Sequence, residues 1–178
     1  MAEQAEIVSD RKGNRWRVLG WGMATGLILL PLVAMQFTRE VNWTIGDFLF
    51  ATLMIGSVGL AFELVVRASN STAYRAGAAT ALAAAFLTVW VNGAVGMIGS
   101  EDNPYNLLFL GVIVLALIGS TLARFRARGM MLAMGTCAVA QAFIGLFGLS
   151  ADLRGGILAT GFAAIWLVSA ALFRNAAR

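Results

Sequence analysis

The chain has no histidine, one cysteine, two prolines and nine acidic residues in a length of 178. Without histidine there is no imidazole for haem or zinc, and none of the side chain that most readily carries protons near neutral pH. Cys137 stands alone, so neither a disulfide nor a dithiol redox pair can form within the chain. Glycine-rich phosphate loops and Ser–His or Cys–His pairs are missing as well. No catalytic residue, metal ligand set or cofactor is nominated, and an enzyme is disfavoured. Charge is equally sparse: 12% of residues are charged and 60% hydrophobic, where soluble domains run at roughly 25% and 45–50%.

What fills the chain instead is a series of six apolar stretches, with a mean hydropathy of +0.80. They are Val18–Phe37, Phe48–Val66, Ala76–Ile98, Leu107–Ala123, Met130–Leu149 and Ile157–Phe173. Each is close to the roughly 20 residues that a membrane helix needs. A backbone in lipid must satisfy its own N–H and C=O groups, so each is read as a helix. Continuous apolar runs rule out the alternation of a β-barrel. The expected fold is all-α, a compact bundle of six transmembrane helices over 18–173. A polar tail (1–17), flexible or interfacial, precedes it, and a short one (174–178) follows.

Orientation comes from the basic residues. Arg11, Lys12, Arg15 and Arg17 precede span 1; Arg67 and Arg75 lie between spans 2 and 3. Arg124, Arg126 and Arg128 lie between spans 4 and 5, and Arg174 and Arg178 follow span 6. These are eleven of the 13 Lys and Arg, leaving only Arg39 and Arg154 on the other side. Basic residues accumulate on the cytoplasmic side of membrane proteins, so both termini are expected there. The net charge of +4 then faces anionic lipid; nucleic-acid binding is not expected, because no basic groove or stacking set accompanies it. The apolar run of span 1 is too long for a signal peptide and reads as a retained anchor. Trp16, Trp21 and Tyr74 mark the inner interface, and Trp43 and Tyr105 the outer one.

Small residues mark close helix approaches, because dispersion between helices, not hydrophobic drive, holds a bundle together in lipid. Span 1 has Gly22-x-x-x-Gly26, span 3 an alanine run from Ala78 to Ala85, and span 5 Gly145-x-x-Gly148. Pro31 is expected to kink span 1. Glu63, near the inner end of span 2, is the one acid within a span. Pairing with Arg67 four residues on, or a role in proton coupling, are its two readings. Gln141 reads best as a hydrogen bond between helices. Met130, Met131, Met134 and Cys137 cluster in span 5; soft ligands suit Cu(I), but flexible apolar filling is the better reading.

The most unusual segment is Trp90–Asn106. Gly93, Gly96 and Gly99 thin one face at the end of span 3. Glu101, Asp102 and Asn103 follow, with Pro104 keeping Asn103 extended before span 4. If Asn92 faces inward, its amide lies just below this acidic loop. With Glu40, Asn42, Asp47 and Asp152 on the same side, these residues form a candidate oxygen-rich cup for a hard cation or a small cationic solute. The alternative is a well-made turn, with Ser100, Asp102 or Asn103 capping span 4.

This segment, running on through Leu107–Arg128 to Ala-Arg-Phe-Arg-Ala-Arg-Gly, resembles a group of small bacterial inner-membrane proteins with no assigned activity. Their shared pattern is similar to Asn-x-Ala-Val-Gly-x-Ile-Gly-x-Glu-x-Asn-Pro-x-Asn. The resemblance covers the middle third of the chain, implies a multi-pass protein of the bacterial inner membrane, and carries over no functional residue. The size and layout also look like the substrate-binding subunits of energy-coupling-factor vitamin transporters, without a diagnostic motif. Two functions follow, the first the leading reading and the second its alternative. One is a small transport or solute-binding subunit with an outward polar cup at Asn92, Glu101, Asp102, Asn103, Asp47 and Glu40. The other is a non-catalytic accessory or scaffold subunit whose partner is another membrane protein or a second copy.

Overall fold

The structure, a computed structural model, describes the backbone of residues 2–178 and the side chains of residues 17–178. The side chains of Arg11, Lys12, Arg15 and Trp16 lie outside that range. The helices are α1 (Ala2–Ala34), α2 (Ile45–Ala68), α3 (Thr72–Ala94), α4 (Leu107–Leu122), α5 (Ala127–Gly148) and α6 (Leu153–Ala176). No strand occurs among the described residues. Each helix supplies a window long and apolar enough to cross a membrane, in α4 together with the short turn before it, so the all-α, six-span expectation holds. Helix α1 already begins at Ala2, so the boundary at Val18 is a change of polarity within one helix. It runs through Pro31 and ends one turn later, at Ala34.

The chain divides into two units, Met1–Glu63 and Leu64–Arg178. In the first, the Arg17 guanidinium and the Trp21 indole N–H (3.1 Å) both donate to the Glu63 carboxylate. Gly59 leaves room for the Trp21 ring, which would stand 3.2 Å from a Cβ there. The acid in span 2 is therefore held by a cation and an indole from α1. Asp47 closes the first turn of α2, its carboxylate accepting from the Thr44 N–H (2.7 Å) and hydroxyl (2.8 Å). The backbone N–H of Glu40 donates to the Thr38 hydroxyl.

The second unit has its core among four helices. Helix α6 packs most extensively on α5 and then on α3, while α4 packs on α5. The buried face of α6 repeats at helical spacing as Ala159, Ala163, Trp166, Ala170 and Phe173. Opposite it lie Gly77, Ala78 and Ala84 of α3 and Met134, Cys137 and Ala138 of α5. Small residues let the backbones approach closely, as lipid-embedded packing requires. At Gly145 an added Cβ would lie 2.5 Å from the Thr160 hydroxyl and 2.6 Å from its backbone nitrogen, so α5 and α6 meet there nearly backbone to backbone. Near the other end, the Ser169 hydroxyl donates to the Gly77 carbonyl (2.8 Å) and ties α6 to α3.

The arginine-bearing end of this unit is closed by local capping. Arg75 donates to the carbonyls of Ser69 (2.6 Å) and Val66 (2.7 Å), satisfying the end of α2. The Tyr74 hydroxyl donates to the Phe125 carbonyl (2.6 Å), and Ser71 caps α3.

Candidate functional site

Helix α3 stops at Ala94, four residues short of the boundary read from hydropathy. Val95-Gly96-Met97-Ile98 is apolar enough to continue a span, yet Gly96 and Gly99 take positive φ (76° and 72°) and turn the chain back. The three glycines thus do not line one helix face, as their spacing suggested. Met97 and Ile98 enter the core instead, with Ile98 fully buried beside Phe109 and Ala159. A Cβ on Gly148 would stand 2.7 Å from the tip of Ile98, so the second glycine of Gly145-x-x-Gly148 makes room for this inserted side chain.

Burying a loop in a membrane protein requires partners for its peptide groups. Three asparagines supply them. Asn106, almost fully buried, engages both polar groups of Ile98. Its side-chain oxygen accepts from the Ile98 N–H (2.9 Å), and its amide donates to the carbonyls of Ile98 (3.3 Å) and Ser100 (2.8 Å). Asn92 accepts from the Met97 N–H (3.2 Å) and donates to the Asn106 carbonyl (3.3 Å). Asn103 donates to the Ile98 carbonyl (3.0 Å) and caps the 3-10 turn Pro104–Asn106 by accepting from the Tyr105 N–H (3.0 Å). The Tyr105 hydroxyl then reaches the Ile144 carbonyl of α5 (2.7 Å).

Asp152 ties this loop to the start of α6. One carboxylate oxygen accepts from the Gly155 N–H (3.0 Å) as a helix cap, and the other from the Gly99 N–H (3.0 Å). These two backbone donors, Gly155 first, hold the carboxyl below the usual aspartate range, and Arg154 adds to the effect.

Of the residues nominated for a polar cup, Asn92 and Asn103 are brought together here, with both ends of each amide bonded to the loop's own backbone. Glu101 and Asp102 sit on the exposed crest of the loop. Glu40 and Asp47 belong to the other unit, where Asp47 caps α2. Gln141 makes the interhelical bond its sequence position suggested, from its amide to the Ala159 carbonyl (3.3 Å). Met130, Met134 and Cys137 are buried in the apolar core, the thiol facing the Val112 carbonyl at 3.8 Å. Among the described residues no group of His, Cys, Asp or Glu is arranged to hold a metal ion. Sequence reasoning passed over the bracing role of Asn106 and the capping role of Asp152. The available signals were an asparagine directly before a span and an aspartate three residues before Gly155.

The fold and site define a multi-pass membrane protein whose Leu64–Arg178 unit is closed at one end by an inserted, asparagine-braced loop. Comparison of the chain with protein-family models, curated proteins and solved structures found no match.

Proposed function

We propose that this protein is a non-catalytic accessory subunit of a larger membrane assembly, with its arginine-rich end in the cytoplasm of a bacterial cell. The observation that carries the reading is the use of Asn92, Asn103 and Asn106 on the backbone of the 95–106 loop. Amides engaged in this way are not available to replace the hydration shell of a solute, and the loop they hold fills the end of the four-helix unit. The fully buried polar side chains of that unit are Thr88, Gln141 and Ser169, all uncharged. Autonomous ion coupling generally requires ionisable groups inside the spans. A helix unit with no charged side chain in its core and an apolar perimeter suits lateral packing on another membrane protein.

The second reading, a subunit that binds a cation or cationic solute, is favoured by one observation: Glu101 and Asp102 are exposed side by side on a well-held loop. Purification in mild detergent separates the two. The accessory reading expects a stoichiometric membrane-protein partner and a melting temperature indifferent to cations and small amines. A protein that purifies alone, and whose melting shift with such a ligand disappears in the Glu101→Gln, Asp102→Asn variant, would replace it with the binding reading. For orientation, a cysteine at Asp102 is expected to label from outside intact cells; labelling only after permeabilisation reverses the assignment.

A further inference from the structure

Three buried polar atoms in the Leu64–Arg178 unit have no hydrogen-bond partner among the described residues: Thr88 Oγ1, Gln141 Oε1 and Trp166 Nε1. Thr88 and Gln141 are 0% exposed and Trp166 is 1% exposed, so surrounding lipid or bulk water does not satisfy them. Thr88 is unusual in its own context. Thr25, Thr80, Thr121, Thr136 and Thr160 each return their hydroxyl to the carbonyl one turn back, the default for a helical threonine in an apolar setting. Thr88 does not.

The helix registers bring Thr88 and Gln141 to one level of the core. The Ser169–Gly77 bond fixes α6 against α3; eleven residues along α3 and eleven back along α6, Thr88 comes level with Leu158 and Ala159. Gln141 bonds the Ala159 carbonyl, so it reaches the same level from α5. Trp166 lies two turns further along the same buried face of α6. Helical side chains lean toward the N-terminus of their helix, the direction in which Ala159 lies from Trp166. Between the two levels are Ala84, Ala138 and Ala163, buried residues that bring nothing larger than a methyl group.

We propose that Thr88, Gln141 and Trp166 surround an internal site for a small uncharged hydrogen-bonding molecule, water itself, held inside the four-helix core. The chemistry of the three atoms fits this ligand. The indole only donates, the free amide oxygen only accepts, and the hydroxyl does either; a water molecule completes all three. The surrounding alanines exclude anything bulky. No charged side chain is among the buried residues of this core to balance an ion.

The test combines spectroscopy with a mutant cycle on the full-length protein in detergent. The Trp166 indole N–H, identified by its loss in Trp166→Phe, is expected to show magnetisation transfer to water despite its burial. Thr88→Val and Gln141→Leu are each expected to lower Tm by about 2–4 °C, and Thr88→Ser to leave it unchanged. The double variant is expected to lose less than the sum, because both side chains hold one molecule. An indole N–H without contact to water overturns the proposal. So do apolar variants that raise Tm, the result for buried groups that were unpaired, or losses that add fully. If a variant fails to fold, the wild-type indole measurement still decides.

Discussion

Helices α1 and α6 are both apolar enough to cross a membrane, yet 6% of the α1 window is buried inside the protein against 44% for α6. Two glycines at the start of α6 differ from those of α1 in the same way, while Gly161 meets nothing within 4 Å. A methyl group added at Gly22 or Gly26 of α1 meets nothing within 4 Å, whereas one at Gly155 or Gly156 of α6 runs into neighbouring chain. Hydropathy therefore assigns a helix to lipid without saying whether it builds a core. In α6 the core face is set by small residues that let other backbones close in and by an aspartate that joins the helix to a distant loop. In α1, Arg17 and Trp21 reach Glu63 near one end of α2.

The contrast is broken most severely at Asn106. Asn106→Leu keeps the branching and heavy-atom count of the side chain but removes the bonds to Ile98 and Ser100. Each buried peptide group left unpaired costs about 1–3 kcal/mol, so a loss of about 2–4 kcal/mol in detergent unfolding is expected. A variant as stable as wild type would show that the loop is held by apolar packing alone.

A matched pair of glycine substitutions comes next. Gly145→Ala places a methyl group against the Thr160 backbone and is expected to cost about 1–3 kcal/mol by overpacking. Gly22→Ala meets open space and is expected to be neutral or slightly stabilising, since alanine is the better helix former. Equal losses at the two positions would erase the distinction between the helices.

A smaller effect is expected from acid. The Asp152 carboxyl is lowered in the folded protein, so its stabilising effect is complete above the ordinary aspartate range and is lost as pH falls through the lowered value. Asp152→Asn is expected to flatten that acid limb of the melting profile. An unchanged pH profile in Asp152→Asn would mean that the Gly99 and Gly155 bonds contribute nothing measurable. The smallest effect belongs to Glu101→Gln with Asp102→Asn. Both side chains are on the exposed crest, so melting without added ligand is expected to match wild type.

The six spans were legible because hydropathy and helix length obey one physical constraint, the thickness of the bilayer. The interhelical bond of Gln141 and the close approach at Gly145 were legible for a related reason: an amide or a paired small residue within a span has few alternatives. The end of α3 was not. Met97 and Ile98 have the same apolarity whether they continue a helix or fold back into a core, and only tertiary packing on Gly148 and Phe109 decides. Asn106 was hidden because its partners are backbone groups of a loop whose turns at Gly96 and Gly99 hydropathy does not reveal. Asp152 was hidden because Gly99, one of its two donors, lies 53 residues away. Cup and brace are written with the same residue types, and sequence alone does not separate an asparagine that binds a ligand from one that binds its own chain.

Cysteine accessibility tests the inserted loop most directly. In a Cys137→Ser background, with native membranes treated by a water-soluble maleimide, a cysteine at Glu101 is expected to react readily. A cysteine at Ile98, three residues away, is expected to stay unlabelled until the protein is denatured in SDS. Equal labelling of the two positions in the folded protein would contradict the braced, core-filling loop and indicate an open polar cup at this end of the molecule.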